Sequence, residues 1–315
     1  MGRRKAILWA VAAIVVVVVG WAVCREREPV YQGKTLSEWM AVRQWGDTPA
    51  KKEEADDALQ RIGTNALPIL LKWLRYEQPQ WRNRAYVRLI SRLPRWVGGI
   101  ALFNRLLHNR EWEQAGLAAD TVHRLGAGAT NAIPELVAIM ARTSATNASQ
   151  RAVYVLASLG TAGLPPMLNA LSDPGNAQRQ FIARMIPTIR ELGSNGHPAV
   201  PILLNCLQER DAVMVMTAAE SLGSLRLEAE IVVPALVRGL TNENYAVRAY
   251  LAKAVSEFGE EARGAVPALL EALDDRDDWA RKAAAAALEK IGSEELEKDR
   301  QTRTHKPPTV FHPFE

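Results

Sequence analysis

The chain has 315 residues, 48% of them hydrophobic and 23% charged, with a formal net charge of +4. Two cysteines, Cys24 and Cys206, exclude a disulfide framework, and the length is ample for a sizeable buried core. The first element in chain order is a charge-free run, Ala6 to Cys24. As a helix it would reach about 28 Å, enough to cross the hydrocarbon core of a bilayer. Arg3, Arg4 and Lys5 precede it. A basic flank over residues 1–5 favours a cytoplasmic N-terminus and places the rest of the chain outside the cytoplasm. Residues 6–24 are therefore expected to be a retained single-pass anchor. Two alternatives stay open: signal cleavage after the small-x-small triplet Gly20-Trp21-Ala22, leaving a secreted or periplasmic chain, and lipidation at Cys24.

Residues 25–34 are expected to be a linker, after which amphipathic patterning begins. Between Arg75 and Arg110 the chain has eight arginines and a single acid, Glu77. Within it Arg84, Arg88, Arg92 and Arg95 follow helical spacing, beside an apolar arc of Ala85, Tyr86, Leu89, Ile90 and Leu93. Such a strip is either a solvated edge paired to acids on neighbouring helices or an anion-binding surface for an acidic protein, anionic headgroups or nucleic-acid phosphate.

The strongest signal is a repeat. Prolines recur at Pro68, Pro134, Pro166, Pro201, Pro234 and Pro267, the last three 33 residues apart, and each stands in an apolar run such as AVPALLEAL. A fixed period of this size is one supersecondary unit copied many times. The clearest copy runs from Gly264 to Gly292. Pro267 suits the first turn of a helix, where an N–H has no partner. Asp274, Asp275, Asp277 and Asp278 break that helix and offer oxygens to cap the next, an Ala-rich one over roughly Trp279 to Ile291. Gly292 ends it, and Gly63, Gly126 or Gly128, Gly160, Gly193 and Gly259 stand at matching places upstream. The expected fold is an all-α, right-handed solenoid of about seven to eight helix pairs over residues 35–292, with no β-sheet and with one transmembrane helix before it. Residues 293–315 are charged and then Pro-rich, and are expected to be a flexible tail.

These residues resemble HEAT repeats, in particular the short bacterial kind also called phycobilisome-lyase HEAT-like repeats. The resemblance is carried by a proline, an apolar helix, an acidic turn and then V/A-R with a glycine eleven places beyond: Val247, Arg248 and Gly259, then Ala280, Arg281 and Gly292. The copy DAVMVMTAAESLG lacks the arginine. The resemblance implies that Arg248, Arg281 and Asp275 form a structural ladder between neighbouring repeats. The stretch YQGKTLSEWM also looks like the openings of membrane-anchored HEAT proteins of planctomycete and verrucomicrobial bacteria.

No catalytic constellation is legible. G-x-S-x-G, H-E-x-x-H and the P-loop are all absent, and His108, His123 and His197 fall on separate repeats. The Asp274–Asp278 cluster lacks an EF-hand register, and His305 and His312 lie in the tail without further ligands. The sequence thus implies no enzyme, no cofactor and no metal. The expected function is a membrane-tethered scaffold that binds a protein partner through the concave face of the solenoid, with residues 6–24 in the membrane. Two other classes are suggested by the resemblance alone: a phycobilin lyase or chaperone, and a HEAT-like alkylpurine DNA glycosylase. A membrane segment argues against the last, and against nucleic acid as a partner.

Overall fold

The computed structural model describes residues 28–77, 79, 110–142, 146–189 and 192–292. The anchor expected at 6–24, the strip Arg84, Arg88, Arg92 and Arg95, and the tail at 293–315 lie outside the described residues. Among those described, no helix is long and apolar enough to cross a membrane. The chain divides into two compact units, Met1–Ala132 and Ile133–Glu315.

The first unit opens with a structure that the sequence pattern does not announce. Strand β1 (Val30–Tyr31) pairs antiparallel with β2 (Lys34–Thr35), in the register Val30↔Thr35 and Tyr31↔Lys34. The expectation of no β-sheet, and of a linker through residue 34, is corrected here. Gln32 and Gly33, the two turn residues, both take positive φ, 47° and 76°. That backbone twist matches the twist of two antiparallel strands and closes a two-residue hairpin. The hairpin is tied to helix α1 (Leu36–Trp45): the Trp39 indole N–H donates to the Tyr31 carbonyl at 2.9 Å, and Trp39 is fully buried. Thr35 caps α1 through a capping box, its hydroxyl accepting from the Glu38 amide while the Glu38 carboxylate accepts from the Thr35 amide at 2.7 Å. Helix α2 (Pro49–Ile62) starts on Thr48 with proline in its first turn, and α3 (Leu67–Leu74) and α4 (Arg110–Leu125) complete the described helices of this unit. α1 packs on α2 and on α4, and α3 packs on α4.

The second unit is a run of helix pairs. They are α5 (Ile133–Met140) with α6 (Thr146–Ser158), α7 (Leu164–Ser172) with α8 (Arg179–Met185), α9 (Ala199–Cys206) with α10 (Ala212–Leu225), α11 (Ala229–Arg238) with α12 (Tyr245–Ser256), and α13 (Val266–Ala272) with α14 (Asp278–Ile291). Second helices stack in sequence, α6 on α8, α8 on α10, α10 on α12 and α12 on α14. Their contact faces are mostly small, with Ala218, Ala219, Ala252, Ala254, Ala284 and Ala287 all buried. Small residues let neighbouring helix backbones approach, and larger Leu and Ile residues fill the space between the two helices of a pair.

The periodic glycines mark the joints. Gly63, Gly126, Gly160, Gly193, Gly259 and Gly292 all have positive φ, between 41° and 74°. The copy around Gly223 departs from this pattern. Helix α10 runs through Gly223 to Leu225, and Arg226 and Glu228 take the left-handed conformation instead, both at φ 52°. Gly223 has its own reason, which lies across the helix interface. A Cβ on Gly223 would stand 3.0 Å from the Ala254 Cα and 3.1 Å from its carbonyl oxygen. The joint itself is in register: Arg226, 33 residues after Gly193 and 33 before Gly259, takes the left-handed conformation there, while Gly223 serves the close approach. α11 then begins at Ala229, which leaves Pro234 inside the helix, not in its first turn.

Gly116 is a glycine of another kind. It sits in the middle of α4, exposed to solvent, and among the described residues nothing lies within 4 Å of where its Cβ would be. A glycine inside a helix costs about 0.8–1 kcal/mol relative to alanine, and neither backbone conformation nor packing among the described residues accounts for it.

Candidate functional site

The α12–α14 step shows how the acidic turns and helix arginines are used. Arg248, in α12, reaches the turn before α14 and forms a two-pronged pair with Asp275, Nε to Oδ2 at 2.6 Å and Nη2 to Oδ1 at 2.7 Å. Its remaining nitrogen donates to the carbonyls of Asn242 at 2.6 Å and Glu243 at 3.1 Å. Both partners are buried, with side chains 8% and 9% exposed. The Arg248 hydrogen bond holds the Asp275 carboxyl below the usual carboxylate range, and Asp275 in turn raises the Arg248 guanidinium. Asp275 is a node: its carboxylate also accepts from the Asp277 amide at 2.8 Å, and its carbonyl accepts from Arg281 at 2.7 Å. Arg281 therefore meets the backbone of Asp275 and not its carboxylate. It donates to Asp278 at 3.2 Å and its side chain is 40% exposed.

Further rungs cross the repeats. Arg179 bonds Glu209 at 3.0 Å and the Leu171 carbonyl at 2.7 Å, and Gln180 donates to Asp211 at 2.8 Å. His197 meets Glu228 at 2.6 Å. Glu257 receives both Arg226 at 2.8 Å and Lys290 at 2.9 Å, and the bonds from Lys290 first and Arg226 second lower its carboxyl. Sequence reasoning missed these rungs. Their signal is an acid or base recurring about one period after its partner, which is visible only once the register of each degenerate copy is fixed. Cys206 sits beside the Arg179–Glu209 pair, where burial first and Glu209 second push its thiol up to about 11. A thiol so protonated at neutral pH is a poor nucleophile.

The N-terminus of α14 is capped by Asp277, which accepts from the amides of Trp279 at 2.9 Å and Ala280 at 3.2 Å. Replacing Asp277 by alanine is expected to cost about 1 kcal/mol, read as a lower urea midpoint with an unchanged m-value. Trp279, half-exposed at this end of the helix, meets Tyr250 edge-on at 5.8 Å between ring centres and Tyr245 at 6.2 Å. In the first unit a groove of about 570 Å³ lies between α1 and α4, lined by Trp45, Trp112, Glu113, Gly116, Leu117 and Asp120. Among the described residues, no group of three or more His, Cys, Asp or Glu is placed to hold a metal ion.

The family described as HEAT repeats matches residues 233–299, the segment that runs from within α11 through α14 and holds the Arg248–Asp275 pair. Residues 233–299 are thus similar to HEAT repeats. No curated protein matches it in sequence. Among solved structures it is similar to an engineered protein at 20% identity, covering 81% of this chain and 68% of that one with a TM-score of 0.40. It is similar to Kap121p bound to Pho4p at 12% identity, covering 85% of this chain and 32% of that one with a TM-score of 0.46. It is similar to human deoxyhypusine hydroxylase at 18% identity, covering 78% and 99% with a TM-score of 0.34. The chain spans about a third of the length of Kap121p. The name phycobilisome lyase has no support in these comparisons.

Proposed function

We propose that this chain is a non-enzymatic, membrane-tethered HEAT-repeat scaffold that binds a protein partner. In this reading residues 6–24 are the anchor, the repeats lie outside the cytoplasm, and the helix pairs over 35–292 form a right-handed solenoid. Arg248, Asp275 and Arg281 serve as its structural ladder. The supporting observation is a division of labour among side chains. Buried charges such as Arg248 and Asp275 are consumed in joining one helix pair to the next, while Trp45, Trp112, Tyr245 and Trp279 remain exposed. Exposed aromatic residues are the type most enriched where proteins meet. The strip Arg84, Arg88, Arg92 and Arg95 is assigned to the anionic headgroups of the tethering membrane.

Capture with the full chain from detergent-solubilised membranes of its source should yield one stoichiometric protein companion. A chain that brings down nothing above background would end the scaffold reading. An alkaline phosphatase joined to the C-terminus should be active and a green fluorescent protein dark; the reverse pair would put the repeats in the cytoplasm. Changing Arg84, Arg88 and Arg92 together to glutamine should leave the melting temperature unchanged and weaken binding of residues 25–315 to vesicles of anionic lipid, most at low salt.

A further inference from the structure

We infer that the cleft between the turn after α9 and the turn after α11 binds a carboxylate, offered by a glutamate or aspartate side chain of the partner protein and held by Arg238. This rests on the scaffold reading and names the chemistry that one of its surfaces selects.

The cleft has a volume of about 330 Å³ and lies between two successive helix pairs. Gln208 and Glu209 line it from the first turn, and Arg238, Thr241 and Asn242 from the second. Its charge is decided by what is already bound. Glu209 is the one acid in the lining, and its carboxylate is taken by Arg179, Nη1 to Oε2 at 3.0 Å. Glu243, next in the chain after Asn242, does not line the cleft. Arg238 is the one cation in the lining. Its side chain is exposed and, among the described residues, its guanidinium bonds no acid and no carbonyl. Elsewhere in this unit arginine takes a carboxylate from the following helix pair, as Arg179 takes Glu209 and Arg248 takes Asp275. A guanidinium presents a planar fork of N–H donors that matches a carboxylate. In this cleft the fork is present and the carboxylate is not supplied by any described residue.

The uncharged groups point the same way. The turn carbonyls are spent: that of Cys206 accepts from the Glu209 amide at 3.3 Å, and that of Gly239 from the Asn242 amide at 3.0 Å. The Asn242 carbonyl accepts from Arg248 at 2.6 Å, and that of Arg238 from the Thr241 hydroxyl at 3.3 Å. The Asn242 side-chain oxygen accepts from the Asn244 amide at 2.9 Å. That bond leaves the other end of the side chain, an NH₂ with two donors, without an acceptor among the described residues. Gln208 is likewise uncommitted through its side chain. The lining thus keeps donors on Arg238, Asn242 and Gln208, while its charged acceptor and its turn carbonyls are used. Such a site selects an anion. One uncompensated guanidinium balances the single charge of a carboxylate, whereas a phosphate carries about −1.5 to −2.

The test uses the full-length protein in uncharged detergent and a fluorescein-labelled peptide of Gly-Ser-Glu repeats, with Gly-Ser-Gln repeats as control. Fluorescence anisotropy at low ionic strength should show binding of the glutamate peptide and none of the glutamine peptide. A benzophenone on the glutamate peptide should cross-link within residues 207–251. Arg238→Gln should weaken the glutamate peptide about tenfold or more, the scale of one lost hydrogen bond to a charged group. It should melt like the parent, because the Arg238 side chain is exposed and bonds no described residue. Arg210→Gln removes an exposed arginine from the neighbouring turn, outside the lining, and should bind like the parent. If Arg238→Gln fails to fold, Asn242→Asp decides. It keeps the oxygen that accepts from Asn244 and replaces the free NH₂ by a second carboxylate oxygen, so binding should be lost. The inference is overturned if the glutamate peptide does not bind, if both peptides bind alike, or if cross-links fall only elsewhere. It is also overturned if Arg238→Gln binds like the parent or weakens binding no more than Arg210→Gln does. Inorganic phosphate that displaces the peptide better than acetate at equal ionic strength would make the cleft a phosphate site instead. The scaffold reading fails separately. A companion captured equally well by Arg238→Gln ends the cleft assignment and leaves the scaffold standing. Cleft-dependent peptide binding without any captured companion supports the carboxylate site and ends the scaffold.

Discussion

Replacing Asp275 by alanine should unfold the α12–α14 step more readily than any exposed charge change, with a loss of about 3–5 kcal/mol. The size comes from burial. Arg248 is 8% exposed, and without the carboxylate two of its guanidinium nitrogens are left facing no acceptor in a site that water barely reaches. The loss reports an uncompensated buried charge more than the worth of the pair. The double variant Arg248→Leu with Asp275→Leu should therefore recover much of it. By contrast, Lys253→Ala removes a pair to Glu220 at 3.5 Å whose side chains are 59% and 45% exposed, and should change stability by less than about 1 kcal/mol. Amide exchange is the suitable measurement, because a repeat array opens locally and a single global unfolding energy can miss one weakened step. A single Asp275→Ala variant that exchanges like the parent over 245–291 would remove the pair from any structural role.

The same pair sets the acid response. The Asp275 carboxyl lies below the usual range in the folded chain, because Arg248 bonds its ionised form. A depressed carboxyl contributes its full stability above the unfolded value of about 3.9 and loses it as pH falls through the lower folded value. Glu257, lowered by Lys290 and Arg226, acts in the same direction. Stability of these repeats should thus hold at neutral pH and fall below about pH 4, and the fall should be shallower in Asp275→Asn, which cannot titrate there.

What could be read from the sequence was local and repeated. The period of prolines and glycines gives the helix pairs, because Pro267 in a first turn and Gly292 after a last one act through their own backbones. Asp277 is legible as a cap for the same reason. The features that escaped depend on neighbours distant along the chain. Gly223 stands three places before the periodic joint position, which is Arg226, and Ala254 on another helix requires it inside α10. The hairpin needs positive φ at Gln32, a residue that rarely takes it, and is held by Trp39 reaching back to Tyr31. Arg179 and Glu209 sit in copies where the period is irregular, so neither announces the other. Trp45 and Trp112 belong to different helices at unrelated repeat positions, and only folding sets them on one groove.

Gly163→Ala is the second large effect expected. Gly163 has φ −81° and ψ −17°, a conformation open to any residue, so conformational freedom does not explain it. The space around it does. A Cβ there would lie 1.9 Å from the Leu156 carbonyl oxygen and 2.7 Å from its carbonyl carbon. Both are backbone atoms of α6, which cannot rotate aside as a side-chain tip can. α6 and α7 would have to separate, and Leu156, Leu164 and Met167, all buried, would lose packing with them. Overpacking of this kind costs about 1–3 kcal/mol and more where backbone is struck, so a loss of at least about 3 kcal/mol is expected. Gly264→Ala is the control. It lies in the comparable joint before α13, has no positive φ, and has nothing within 4 Å of the added methyl among the described residues. There alanine should be neutral or add about 0.4–1 kcal/mol by narrowing the unfolded ensemble. Urea titrations of the two variants side by side decide the matter: equal midpoints would mean that the contact with Leu156 yields freely and that the joint tolerates a side chain.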